Sequence, residues 1–141
     1  MTTVEWKGNM AFEATPPSGQ TFRMDTHPDL GGTEGPSPME VLLASAAACS
    51  AMDVVMILQK KRQTITSYRI EIEGDRVPQG TWPRPYTSIR MRHIVEGPNL
   101  DQTAVAQAVQ LSDEKYCSVV ATLRANTEVS STFEIVEPSP A

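Results

Sequence analysis

Ser37-Pro38-Met39-Glu40-Val41-Leu42-Leu43-Ala44-Ser45-Ala46-Ala47-Ala48-Cys49-Ser50-Ala51-Met52-Asp53-Val54-Val55-Met56-Ile57-Leu58-Gln59-Lys60-Lys61 is the stretch that decides the fold. It opens as a capping box, with Ser37 at the N-cap, Pro38 at the first helical position and Glu40 at the third. From Met39 to about Lys61 it contains no Gly or Pro, which predicts one unbroken helix on the order of 35 Å long at about 1.5 Å per residue. Val41, Leu42, Leu43, Ala46, Ala47, Ala48, Met52, Val54, Val55, Ile57 and Leu58 leave it no wholly polar face, and such a helix must be enclosed on several sides. A single small domain cannot enclose it alone, so a homodimer is expected.

Upstream, three short strands are predicted at Val4–Lys7, Met10–Ala14 and Gln20–Asp25, separated by Gly8-Asn9 and by Pro16-Pro17-Ser18-Gly19. Met10, Phe12 and Ala14 fall on one face of the second strand, and Phe22 and Met24 on one face of the third. The following loop, from His27 to Pro36, is rich in Gly and Pro; it is expected to be irregular, to permit close approach to a ligand and to form the lip of a site.

Downstream, Tyr68, Ile70 and Ile72 alternate with Arg69, Glu71 and Glu73, and Ile89, Met91, His93 and Val95 alternate with Ser88, Arg90 and Arg92. Acids on one polar face and arginines on the other predict an antiparallel pair joined by the loop Asp75–Pro85. Asp101 can cap a helix from Gln102 to about Leu111, and a short third helix is expected to begin at Ser112 or Asp113 and to hold Cys117, Val120, Ala121 and Leu123. A final strand, Thr127–Val136, precedes a Pro-Ser-Pro tail. The predicted order is β-β-β-α-β-β-α-α-β, an α+β arrangement in one domain spanning residues 1–141.

The formal charge of −5, from 12 basic and 17 acidic residues, offers no basic footprint for nucleic acid. Met1-Thr2-Thr3-Val4-Glu5-Trp6 lacks the basic and apolar regions of a signal peptide, and Ser50 and Asp53 interrupt the longest apolar run. A cytoplasmic protein with no membrane association is expected. There thiols are kept reduced, so a bond between the only two cysteines, Cys49 and Cys117, would be transient: catalytic or redox-sensing.

Both cysteines can also be read as small buried hydrophobes. Cys117 lies near the start of a short helix, where unpaired N–H groups favour a thiolate. Cys49 lies too deep in its helix for that help, and Arg23 and Arg84 are the candidates to supply a cation. Glu40 is nine helical steps from Cys49, on the opposite face and roughly 13 Å along the axis, so capping suits it better than contact within one helix. Asp53, one turn after Cys49 on the same face, would raise a thiol's pKa unless its charge is otherwise engaged; pairing across the dimer is expected. His27 and His93 complete a two-Cys, two-His set without metal-motif spacing, so no metal or other cofactor is expected.

Three segments carry a resemblance: Gly35-Pro36-Ser37-Pro38-Met39-Glu40-Val41-Leu42-Leu43-Ala44, Ala47-Ala48-Cys49-Ser50-Ala51-Met52-Asp53, and Leu111-Ser112-Asp113-Glu114-Lys115-Tyr116-Cys117-Ser118-Val119. With them the sequence resembles the OsmC/Ohr family of osmotically inducible and organic-hydroperoxide-resistance proteins, in particular its YhfA-like branch. The resemblance implies an intertwined homodimer around the long cysteine-bearing helix, with active sites built from both subunits. It implies a peroxidase in which Cys49 is oxidised by a hydroperoxide to a sulfenic acid, Cys117 resolves it as a disulfide, and a dithiol such as a dihydrolipoyl group reduces that bond. The family's arginine comes from the N-terminal strands, where Arg23 is the nearest match. Its glutamate, ten positions before the first cysteine, falls on Met39 with Glu40 one step away. Where the family usually has Pro after the second cysteine and often His before it, this chain has Ser118 and Tyr116.

A different class of function remains open at this point. A dimeric protein could hold a small apolar ligand at its interface, with the cysteines sensing oxidation or only packing.

Overall fold

The computed structural model describes residues 1–139, so Pro140 of the expected tail lies outside the described residues. The element order is the predicted one: β1 (Thr3–Trp6), β2 (Phe12–Thr15), β3 (Phe22–Met24), α1 (Pro38–Lys60), β4 (Ser67–Arg76), β5 (Tyr86–Glu96), α2 (Gln102–Leu111), α3 (Ser118–Arg124) and β6 (Glu128–Val136). Residues up to Leu42 form one compact unit and residues from Leu43 onward another, the boundary falling inside α1.

In the first unit β1, β2 and β3 make an antiparallel meander, with Val4 opposite Ala14 and Glu13 opposite Arg23. The turn between β1 and β2 is longer than Gly8-Asn9 alone and runs from Lys7 to Ala11: Gly8 and Asn9 both take positive φ, and Lys7 N–H donates to the Ala11 carbonyl at 2.9 Å. The turn therefore consumes Met10, which is exposed instead of lying on the inner face of β2, and Phe22 is exposed too.

The loop after β3 is less irregular than expected. Pro28–Leu30 forms a single 3-10 turn capped by His27, whose Nδ1 accepts from Asp29 N–H at 3.2 Å. Its glycines serve the chain's own backbone: a Cβ on Gly35 would stand 2.3 Å from the Arg23 carbonyl oxygen. Asp25 closes the loop by accepting from the N–H groups of Thr26, Thr33 and Glu34.

In the second unit β5 is the central strand, antiparallel to β4 and parallel to β6. The complementary charges pair as the alternation requires: Glu71 lies opposite Arg92 and Glu73 opposite Arg90, with ion pairs of 2.9 and 3.3 Å. Arg92 also reaches Glu134 on β6, so the solvent face of the sheet is laced across all three strands. The inner face, with Ile89, Met91, His93 and Val95 buried, turns toward helices. Val54 and Leu58 of α1 pack there with Val95, Leu100 and the Ala104, Val105, Ala108 and Val109 side of α2. Asp101 caps α2 by accepting from Thr103 N–H at 3.0 Å.

The long helix starts as predicted, with Glu40 N–H donating to Ser37 Oγ at 3.3 Å. Its enclosure differs from expectation. Within one chain only Ala46, Ser50, Val54 and Leu58 are buried, a stripe four residues apart, while Met52 is 69% exposed and Met56 50%. The 23-residue helix has the length and composition of a membrane span, yet this stripe seats it in the core of the second unit.

Leu58→Ala should remove about 2–5 kcal/mol of stability in urea unfolding, because the side chain is wholly buried in the α1–β5–α2 core. Glu73→Ala, at the exposed end of an ion pair, should leave the unfolding midpoint unchanged within error.

Candidate active site

The two cysteines, 68 positions apart in sequence, are neighbours in the fold, near enough for Cys49 to act on the titration of the Cys117 thiol. Their surroundings differ. Cys49 lies part-way along α1 and is partly open to solvent, whereas Cys117 is 3% exposed. Cys117 is brought there by a wide, π-helical turn, Ser112–Tyr116, that ends α2; Cys117 N–H closes it by donating to the Ser112 carbonyl at 2.9 Å. Cys117 is thus extended and caps α3 rather than standing inside a helix begun at Ser112, and Val120 N–H donates to its sulfur at 3.4 Å.

That capping bond was the reason to expect a thiolate, and the outcome is the reverse. Burial pushes the Cys117 thiol up to about 11; the Val120 N–H opposes this, while the Cys49 hydrogen bond and the charges of Cys49 and Asp53 add to it. A seven-residue helix cannot offset the loss of water around the sulfur.

Asp53, expected to pair across a dimer, finds a partner within its own chain. Its Oδ2 accepts from Ser112 Oγ at 3.0 Å, and Ser112 Oγ lies 3.0 Å from Ser50 Oγ. Both serines are 0% exposed. This chain of hydroxyls is not legible in the sequence, where its one signal is Ser50 and Asp53 at helical spacing beside a cysteine.

Nearby, Tyr68 and His93 share a hydrogen bond of 2.7 Å between Oη and Nδ1, and their rings stack. His93 is wholly buried on β5, with Nε2 unpartnered among the described residues, and burial lowers its pKa to about 4. Burial, with help from the Asp53 charge, raises Tyr68. His93 is therefore a neutral core histidine. Among the described residues no group of three or more His, Cys, Asp and Glu side chains could hold a metal ion.

Arg23 stands on β3, paired with Glu13 at 3.4 Å and Glu34 at 2.8 Å. Glu40 occupies the first turn of α1. Arg84, the other arginine considered, donates from Nε to the Val77 carbonyl at 2.9 Å and so fastens the β4–β5 connection.

The comparisons with known proteins fit this arrangement. Residues 31–132 match the family described as OsmC-like protein. Protein YhfA of Escherichia coli K12 is 39% identical over 133 residues, covering 94% of this chain and 96% of the relative. The chain belongs to the OsmC-like family. Its fold is shared by an OsmC-like protein from Mycoplasma pneumoniae, at a TM-score of 0.80 and 18% identity over 96% of each chain. It is also shared by an organic hydroperoxide resistance protein, OsmC, from Legionella pneumophila, at 0.68 and 16% over 95% of this chain and 96% of the other.

Two outcomes follow from the titration behaviour. At pH 7.5 iodoacetamide should label a single thiol of the reduced protein, Cys49, with Cys117 reacting only toward pH 11 or on unfolding; comparable rates for both would contradict the burial argument. For His93, the unfolded chain takes up its proton near 6.5 and the folded chain near 4. Its contribution to stability is therefore complete above 6.5 and is lost as pH falls toward 4, a slope that His93→Gln should remove from urea midpoints.

Proposed function

We propose that this protein is a thiol-dependent peroxidase that reduces organic hydroperoxides, acting as a cytoplasmic homodimer of a single OsmC-like domain. The observation that carries the reading is the unequal cysteine pair: two neighbouring thiols, one partly open to solvent and the other buried and held protonated. A peroxide can approach only the open sulfur, so Cys49 is the peroxidatic residue and Cys117 the resolving one.

The Cys49 thiolate attacks an oxygen of the hydroperoxide, the O–O bond breaks and, with one proton, an alcohol leaves; Cys49 becomes a sulfenic acid. The sulfur of Cys117 then attacks that of Cys49, loses its proton and expels water, forming a disulfide. A dithiol, of which a dihydrolipoyl group is the favoured class, reduces the bond through a mixed disulfide and is itself oxidised to a cyclic disulfide. Arg23 is assigned the stabilisation of the Cys49 thiolate, with Glu40 as its orienting partner.

The dimer is supported by apolar surface that one chain leaves open. Ala48, Ala51, Met52, Val55 and Met56 line a shallow apolar depression along α1, and Val4, Trp6 and Phe22 are exposed on the meander. A second copy covering these faces accounts for a helix apolar nearly all round.

One equivalent of cumene hydroperoxide should remove two thiols from the reduced wild type as an intramolecular disulfide, read by mass and free-thiol count. Cys117→Ser should trap a sulfenic acid, and Cys49→Ser should not react. If both wild-type thiols survive, the peroxidase reading fails and ligand binding at the apolar α1 face becomes the reading to pursue. Arg23→Met should slow Cys49 oxidation at least about tenfold, the general scale of such stabilisation.

A further inference from the structure

The chain of Ser50, Ser112 and Asp53 has no part in the chemistry just proposed, yet it lies between the two segments that carry the sulfurs. Its bonds have a direction. The Asp53 carboxylate accepts from Ser112 Oγ at 3.0 Å; with its only proton so engaged, Ser112 Oγ accepts from Ser50 Oγ at 3.0 Å. Ser50 follows Cys49 on α1, and Asp53 lies one turn beyond. Ser112, at the end of α2, uses its carbonyl to hold the backbone N–H of Cys117 at 2.9 Å. One residue therefore grips α1 with its side chain and the second cysteine with its main chain.

Simple adhesion between α1 and α2 does not need this. The apolar cluster of Val54, Leu58, Val105 and Val109 already holds the two helices, and apolar contacts tolerate small slips. A buried hydroxyl chain is different: each group must be satisfied at a fixed distance and angle, so displacement by part of an ångström breaks the series. Such a device specifies register. Both hydroxyls are fully buried, so water cannot substitute for a lost partner without entering the core.

We propose that the Ser50–Ser112–Asp53 hydroxyl chain is the positioning device that sets Cys117 in register with Cys49 for disulfide closure. Ser50 and Ser112 touch neither substrate nor sulfur and act through the turn that delivers Cys117; Asp53 anchors their chain, and its charge also raises the Cys117 thiol. The assignment rests on the two-cysteine reading of the site for its purpose but not for its measurement.

The measurement is the effective molarity of the Cys49–Cys117 disulfide in glutathione buffers, where two glutathione thiols reduce the protein disulfide and become glutathione disulfide. It reports how well the folded chain holds the two sulfurs together and involves no peroxide. Ser112→Ala and Ser50→Ala should each lower it about tenfold or more, the scale expected for a displacement under an ångström. The double variant should lose little beyond either single one, because the groups act as one chain. Urea unfolding of the reduced variants, run in parallel, separates loss of register from loss of fold. Wild-type effective molarity in either variant overturns the proposal, as do additive losses, losses that track stability alone, or a wild type that forms no Cys49–Cys117 disulfide. Inert thiols toward cumene hydroperoxide together with coupled losses in glutathione would instead sink the peroxidase reading and leave the positioning role standing.

Discussion

The second unit depends on a narrow strip of contact: Ala46, Ser50, Val54 and Leu58, one residue per helical turn, are all that α1 buries within a single chain. Everything chemical is indexed to that strip. Val54 and Leu58 fix the helix against β5 and α2 through apolar packing, which sets distance and is lenient about rotation. Ser50, the one polar member, hydrogen-bonds to Ser112 and so removes the remaining rotational freedom. Cys49 sits beside this strip, which is why it is half-covered: one step around the helix from the buried line it remains within reach of solvent while still meeting Cys117.

The Cys117 thiol shows which electrostatic effect wins. A helix N-terminus offers partial positive charge, but α3 is short and its contribution to Cys117 is a single N–H at 3.4 Å. Removing the sulfur from water is the larger effect, and neighbouring negative charge adds to it. Contact between the cysteines is thus compatible with a strict division of roles, set by depth rather than by sequence neighbours.

The sequence made β4 and β5 legible because acids and arginines alternate with apolar residues at a period of two, so face, partner and antiparallel sense followed together. The start of α1 was legible for a similar reason, Ser37, Pro38 and Glu40 being local signals. What escaped depended on contacts distant in the chain. Nothing near Ser112 announces that it meets Ser50, 62 residues earlier, and the burial that reverses the Cys117 expectation is a property of the assembled unit. Met10 was misplaced because a turn with two positive φ angles consumed it, a choice local propensity does not fix. The loop glycines look from sequence like room for a ligand, whereas Gly35 makes room for the Arg23 carbonyl.

The parallel pairing of β6 with β5 carries a consequence of its own. A parallel neighbour cannot follow through a tight hairpin, so the chain runs through α2, the π-helical turn and α3 before β6 returns to the sheet. Completing the sheet requires closing that long loop first, an entropic barrier that slows assembly. Cys117 lies inside the loop and Cys49 outside it. The encounter of the two thiols therefore depends on long-range closure of the chain and on no local turn, so it comes only with the assembled unit.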